Sequence, residues 1–220
     1  FTSSLQNPQH TYGQPGKYQV QLITRNVYNC RDTLQRWIDI YAKPEAGFTA
    51  APAKGCQPHT VVFSDTSRYN YPGGLVSVYW RFGDGSRDTG RRIRHTYLMP
   101  GVYDVQQIVV GQGGCEDRDT LVQQIEIINT PTAEFSVQKI NARRFRFLNQ
   151  SQYDAPGIQP RWTFGDGDTA YSMDSEHLYR VNLTEGTYKS EVCLTMTNPF
   201  GCADTLCKTL ILDQLLLKVP

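Results

Sequence analysis

The side chains with potential for chemistry in this 220-residue sequence are carboxylates in glycine turns, four histidines and six cysteines. Asp84 lies within Phe82-Gly83-Asp84-Gly85, and Asp166 within Phe164-Gly165-Asp166-Gly167, followed by Asp168. Carboxylates in such turns are what a calcium site uses, so Asp84, Asp166 and Asp168 are the calcium candidates. Calcium takes six to eight oxygens, however, and one or two carboxylates per turn do not supply them. The expectation is therefore that Asp84 and Asp166 cap the amides of their own turns, with no metal centre and no cofactor. A zinc site needs three or four converging ligands. His10, His95 and His177 are spaced far apart at matching positions, which points to one packing or hydrogen-bonding histidine per structural unit; His59 stands alone. There is no G-x-S-x-G, no H-E-x-x-H, no glycine loop ending in a phosphate-binding lysine and no Cys/His dyad. No catalytic residue is expected.

The positions of these residues follow an internal repeat. Trp80-x-Phe82-Gly83-Asp84-Gly85 recurs 82 positions later as Trp162-x-Phe164-Gly165-Asp166-Gly167. A second element occurs three times: His10-Thr11-Tyr12 before Pro15-Gly16-x-Tyr18, His95-Thr96-Tyr97 before Pro100-Gly101-x-Tyr103, and His177-Leu178-Tyr179 before Gly186-x-Tyr188. A third element brings Cys30-x-Asp32-Thr33-Leu34, Cys115 with Asp119-Thr120-Leu121, and Cys202-x-Asp204-Thr205-Leu206. In both full copies the last turn glycine lies ten residues before the histidine, which sets the matching glycine of the first copy just ahead of Phe1. The boundaries that follow are residues 1–43, the second half of a unit; 44–130, a complete unit; 131–213, another; and 214–220, a linker.

Within a unit the hydrophobic period is two. Thr60 to Phe63, Val76 to Phe82, Tyr103 to Val110, Leu121 to Ile128 and Arg144 to Phe147 read as strands, punctuated by Pro72-Gly73-Gly74, Pro100-Gly101, Gly113-Gly114 and Asn198-Pro199-Phe200-Gly201. About seven short strands in some 85 residues suit an all-β immunoglobulin-like sandwich. In that reading Trp80 with Phe82, and Trp162 with Phe164, point between the sheets. Tyr18, Val20, Leu22 and Trp37 are the inward residues of the half unit. Tyr69 and Tyr71, and Tyr153 in the next unit, are read as exposed loop aromatics that fill turns or stack on a sugar or a protein partner. Arg91, Arg92 and Arg94 form a basic strand edge. Asn149-Gln150-Ser151 and Asn182-Leu183-Thr184 have the form of glycosylation sequons.

The combination W-x-F-G-D-G, then H-x-Y-x-x-P-G-x-Y, then a final strand, resembles the polycystic-kidney-disease (PKD) repeat. The Gly55-Cys56-x-Pro58 and Gly-Cys-x-Asp-Thr elements look like the subtype common in large surface proteins of gliding bacteria that use type IX secretion. The ending Lys218-Val219-Pro220 is similar to the lead-in to their sorting domain. The resemblance implies tandem immunoglobulin-like (PKD-type) β-sandwiches placed end to end. It also implies a spacer, adhesion or interaction role with no activity of its own.

Six cysteines without a CxxC pair argue for disulfides and an oxidising, extracellular or cell-surface setting. Cys193 and Cys207 flank a hairpin turn, out of phase with the inward residues Leu194, Met196, Leu206 and Leu210, and are expected to pair on its outer face. Cys56 opens the second strand of its unit while Cys115 lies at the opposite end. A strand of nine residues is about 30 Å long, and a disulfide spans about 4.4–6.8 Å between Cα atoms. Stacked units instead bring Cys56 to the hairpin turn of the following unit, so the expected inter-domain bridge is Cys56–Cys202. Cys30 and Cys115 would then pair with cysteines outside the sequence.

Net charge is +1, with 22 Lys and Arg against 21 Asp and Glu, which argues against a nucleic-acid partner. No apolar run approaches the ~20 residues that cross a bilayer. The functional expectation is a non-catalytic extracellular stalk or adhesion segment of a large bacterial protein, its protein or glycan ligand unspecified. Two alternatives stand beside it. One is a filament or complex subunit in which a partner chain donates strands to residues 1–43; the other is a carbohydrate-binding accessory module of a secreted polysaccharide-degrading enzyme.

Overall fold

The structure, a computed structural model, describes residues 2–154, 156–181 and 187–213, with the side chains of Val122 and Gln123 outside the description. Gly186, the sequon at Asn182 and residues 214–220 lie outside the described residues. In chain order the strands are β1 (Gly16–Arg25), β2 (Arg31–Ile40), β3 (Phe48–Ala51), β4 (Lys54–Cys56), β5 (His59–Asp65) and β6 (Ser77–Arg81). Next come β7 (Arg87–Thr89), β8 (Arg92–Tyr97), β9 (Gly101–Val110), β10 (Glu116–Ile128), β11 (Phe135–Lys139) and β12 (Arg144–Asn149). The last are β13 (Gln159–Thr163), β14 (Thr169–Ala170), β15 (Ser175–Leu178), β16 (Tyr188–Thr197) and β17 (Ala203–Leu212). Among the described residues, a 3-10 turn at Gln112–Gly114 is the helical exception.

Two compact units divide the chain. The first comprises the described residues up to Ala53, Thr60–Thr96 and Val102–Ile125; the second comprises Lys54–His59, Tyr97–Gly101 and the described residues from Glu126 onward. Sheet order is β3-β5-β8 and β4-β10-β9-β6-β7 in one pair, and β11-β12-β15 and β14-β13-β16-β17 in the other. Among the described residues, β1 and β2 pair only with each other. The fold is all-β, of immunoglobulin-like sandwich type.

Strand period two builds the cores. On β6, Val78 and Trp80 are buried while Tyr79 and Arg81 are exposed. Trp80 meets Phe48 edge-on at 5.1 Å and Phe63 at 5.7 Å, and Phe63 meets Phe82 at 5.2 Å. In the second unit Trp162 meets Phe135 edge-on at 5.2 Å and Phe147 at 5.8 Å, and Phe147 meets Phe164 at 5.3 Å. Each indole N–H finds an acceptor, Gly90 O at 2.7 Å or Ser172 O at 3.0 Å, so the buried rings leave no polar atom unsatisfied. The buried amide of Gln107 is likewise paired: its Oε1 accepts from Gly47 N and Ser67 Oγ, each at 3.1 Å, and its Nε2 donates to Asp65 Oδ1 at 2.8 Å.

Cys193 and Cys207 stand directly opposite in the β16–β17 ladder and are bridged, with Cα atoms 4.0 Å apart. Cys56 and Cys202 are bridged with Cα atoms 5.5 Å apart. Cys30 and Cys115 are free thiols, exposed and half-buried respectively. The placement of Cys56 differs from the sequence reading. It ends the short strand β4, paired in parallel with β10, rather than opening the strand that follows. Pro58, which has no N–H to give a ladder, separates the two.

The half-unit reading also needs one correction. Tyr18, Val20 and Leu22 oppose Ile38, Arg36 and Leu34, whereas Trp37 opposes Gln19. Directly opposed residues share a face, so Trp37 lies on the other side of the hairpin from the three residues grouped with it.

Candidate functional site

The glycine turn and its histidine bring ionisable groups together at the same place in both repeats. Gly83 and Gly165 hold φ of +85° and +80°. A Cβ there would stand 2.6 Å from Asp104 O and 2.7 Å from Glu191 O respectively, so only glycine lets the turn press against the neighbouring strand. This brings the aspartate over the sheet. Asp84 Oδ1 accepts from Ser86 N at 3.0 Å, and Asp166 Oδ1 from Asp168 N at 3.2 Å, the amide capping read from sequence. The second carboxylate oxygen meets the histidine eleven residues on: His95 Nε2 at 2.7 Å from Asp84, His177 Nε2 at 2.6 Å from Asp166. Each imidazole lies flat on the motif phenylalanine, 4.0 Å from Phe82 and 4.2 Å from Phe164. Burial alone would raise the Asp84 and Asp166 carboxyls, but hydrogen bonds and the neighbouring histidine outweigh it and hold both below their ordinary value.

The arrangement locks a turn. Ser86, His95 and Asp84 have the composition of a hydrolytic triad. Yet Ser86 Oγ and Asp84 Oδ2 face the same Nε2, and the Ser86 hydroxyl donates to Asp84 Oδ1 at 2.5 Å. A triad needs the nucleophile and the carboxylate on different ring nitrogens. Tyr179, the next motif residue after His177, donates its hydroxyl to Phe164 O at 3.0 Å, and burial pushes its pKa up to about 12. Tyr97 is fully buried in the other copy.

Metal ligation follows the same logic. Asp166, Asp168 and His177 each present a ligand atom, all within 4.8 Å of one another. Sequence reading placed the two aspartates together and missed the histidine as their third member. Two carboxylates and one imidazole fall short of a calcium shell, and Asp166 already spends one oxygen on the Asp168 amide and the other on His177. Asp84 has Ser86 where Asp166 has Asp168.

His10 differs from its repeat partners. It lies in the exposed N-terminal stretch, edge-on to Tyr12 at 4.6 Å. His59 packs against the Cα of Gly55, where a Cβ would collide with its ring.

The loop tyrosines correct the sequence reading. Tyr69 and Tyr71 are half-buried rather than exposed. Tyr69 Oη accepts from Gln112 N at 2.8 Å, and its ring covers Gly111. Tyr71 packs on Tyr41 at 5.3 Å. Tyr79 is the exposed tyrosine of this sheet face. It lines a shallow groove of about 520 Å³ with Arg81, Arg87, Asp88, Glu116 and Arg118.

Residues 41–127 match the family model described as PKD domain. A microbial collagenase of Vibrio alginolyticus is 30% identical over 103 residues, 40% of this chain and 12% of that protein, so the chain spans about an eighth of its relative's length. Among solved structures, the PKD1 domain of the Vibrio cholerae metalloprotease PrtV is 24% identical over 39% of this chain and 99% of its own, with a TM-score of 0.34. The PKD1 domain of Vibrio anguillarum Epp is 21% identical over 39% of this chain and 95% of its own, with the same score. The matched stretch holds Trp80, Phe82, Gly83, Asp84, Gly85, His95 and Tyr97, with Trp80, Phe82 and Tyr97 buried beneath the exposed Gly83-Asp84-Gly85 turn and the half-buried His95.

Proposed function

We propose that the chain is a non-catalytic extracellular segment of a large secreted or cell-surface bacterial protein, built from successive PKD-type sandwiches that space or present other parts of that protein. The observation that carries this reading is the second copy of the PKD turn. Trp162, Phe164, Gly165, Asp166 and His177 repeat the contacts of Trp80, Phe82, Gly83, Asp84 and His95 to within a few tenths of an ångström. We read residues 131–213 as a second domain of the same kind on that ground. The two disulfides favour an oxidising compartment, and no helix of the described residues is long and apolar enough to cross a membrane. The type IX route rests on the sequence resemblance.

A non-reducing peptide map and an intact mass of the protein from its native source test the reading. A mass well above 25.0 kDa with Cys56–Cys202 present supports it. Reduced cysteines throughout in native material would place the chain in a reducing compartment and sink it.

The groove at Tyr79 favours a second reading, a carbohydrate-binding accessory module, because it joins an exposed ring to charged hydrogen-bonding groups. Glycan-array binding abolished by Tyr79→Ala would support it. Loss on Tyr69→Ala would report unfolding of the loop instead, since that ring is packed.

A further inference from the structure

We infer that the exposed sheet face carrying Tyr79, Arg81 and Arg87 binds an acidic polysaccharide, with the carboxylates of its uronic-acid units on the arginines and a sugar ring on the tyrosine. The inference rests on the carbohydrate-binding reading of the Tyr79 groove and adds the class of glycan.

Strand register assembles the face. Tyr79 opposes Thr89 on β7 and Ile108 on β9, and Arg81 opposes Arg87 on β7 and Gln106 on β9. Directly opposed residues share a face, so these side chains stand together on the side of the sheet away from buried Trp80. Gln106 Nε2 donates to Thr120 Oγ1 at 3.3 Å, which brings in β10 and with it Arg118, two residues before Thr120.

Charge on this face is unbalanced at one spot. Arg81 and Arg87 are both exposed and directly opposed, and like charges in that position destabilise a sheet. Among the described residues neither guanidinium has a carboxylate partner. The acids nearby are engaged elsewhere. Glu116 stands 3.7 Å from Arg118, and Asp88, on the Trp80 side of β7, accepts from the amide of Thr89. Asp104, further along β9, has another partner. The contrast is Arg146, an exposed strand arginine that opposes Glu176 and pairs with it at 2.5 Å.

The second copy shows that the fold does not require the arginine pair. Thr163 opposes Thr169 at the positions of Arg81 and Arg87, and Arg161 stands where Tyr79 does. Trp162 nevertheless keeps the buried place of Trp80. The repeat holds the core and changes this face, so the arginine pair answers to something outside the sandwich, an anion.

The geometry selects the kind of anion. Guanidinium forks match carboxylates in bidentate fashion. Neighbouring strands lie about 4.7–4.9 Å apart, so Arg87 and Arg81 are one spacing apart. Arg118 lies two spacings from β6 on the other side, about 10 Å across, the scale of a disaccharide. Tyr79, 43% exposed on β6 between them, offers its ring to the C–H face of a pyranose. An acidic peptide would instead add to the edge strand β7 by backbone pairing and leave that ring unused.

The experiment measures binding of the 220-residue chain to polygalacturonate, alginate, fully methyl-esterified polygalacturonate and poly-L-glutamate by titration calorimetry, and to an array of neutral glycans. At least one uronate polymer is expected to bind, and methyl esterification, which removes charge but keeps the sugar, should leave polygalacturonate at least 10-fold weaker than the better uronate polymer. Arg81→Thr with Arg87→Thr, the pair that the second copy carries, should weaken uronate binding at least 10-fold while the thermal midpoint holds or rises, because like-charge repulsion is removed. Tyr79→Ala should also weaken it at least 10-fold. Poly-L-glutamate bound as tightly as the uronates, or uronate binding that survives either variant, overturns the inference. Neutral glycans bound through Tyr79 and indifferent to the threonine pair overturn it while leaving the carbohydrate-binding reading standing; no glycan bound at all overturns both. If the threonine variant fails to fold, the esterified and peptide polymers decide, since they need no variant.

Discussion

His177 Nε2 stands 2.6 Å from Asp166 Oδ2, with the imidazole stacked at 4.2 Å on the ring of Phe164 two residues before that aspartate. The pair ties the glycine turn to β15 from above while the phenylalanine ties it to the core from below. The motif is thereby a fastener, and its energetic consequences are measurable.

The first consequence is acid sensitivity. Asp84 and Asp166 titrate below their ordinary value of 3.8 when folded, because hydrogen bonds and histidine outweigh the opposing effect of burial. A carboxyl depressed in the folded state contributes stability that is present above its unfolded value and lost as pH falls through its folded value. Thermal midpoints should therefore fall from about pH 4 downward. Asp84→Asn and Asp166→Asn should each start lower at pH 6 and show a shallower fall, measured by calorimetry between pH 6 and 2.

Glycine substitutions should separate strain from collision. Gly167 holds φ +102° with nothing within 4 Å of a built Cβ. Gly167→Ala should cost about 1–2 kcal/mol from backbone conformation alone. Gly165→Ala adds a clash with Glu191 O and the Ser190 hydroxyl, for a total of about 2–5 kcal/mol. Urea denaturation giving equal costs for the two would refute the close approach of turn and strand.

Trp162 tests the aromatic core. Truncation to Ala should destabilise by about 3–5 kcal/mol. Trp162→Phe keeps most of the packing but removes the indole hydrogen bond to Ser172 O, a loss of about 0.5–1.5 kcal/mol. Equilibrium unfolding followed by tyrosine and far-ultraviolet signals gives both values.

The disulfides should differ in weight. Replacing Cys193 and Cys207 together by Ala opens a 14-residue separation and should cost about 3 kcal/mol. Reductant added to that variant then isolates Cys56–Cys202, whose 146-residue separation sets a chain-entropy contribution of at most about 5 kcal/mol. Denaturation curves with and without reductant measure each step.

The local order was written in the residues themselves. Alternation around Trp80 and Trp162 and the glycine turns are short-range patterns, decided by local sterics and burial, and the repeat shows as the same short pattern recurring 82 positions on. The strands and the amide caps of Asp84 and Asp166 were legible for that reason. The pairing of Cys193 with Cys207 follows similarly from phase along two adjacent strands. What the sequence left open depends on side chains far apart in the chain. That His177 closes on Asp166 requires β15 to pass over the turn. That Tyr69 is packed requires Gly111 to offer a bare backbone for its ring, and that Trp37 leaves the face of Val20 depends on ladder register, where one residue reverses every side chain. Local chemistry thus determined the strands, the turns and the repeat. Tertiary packing alone decided which charged groups meet, which rings are covered and which apolar face stays open, because those outcomes depend on the register and crossing of strands tens of residues apart.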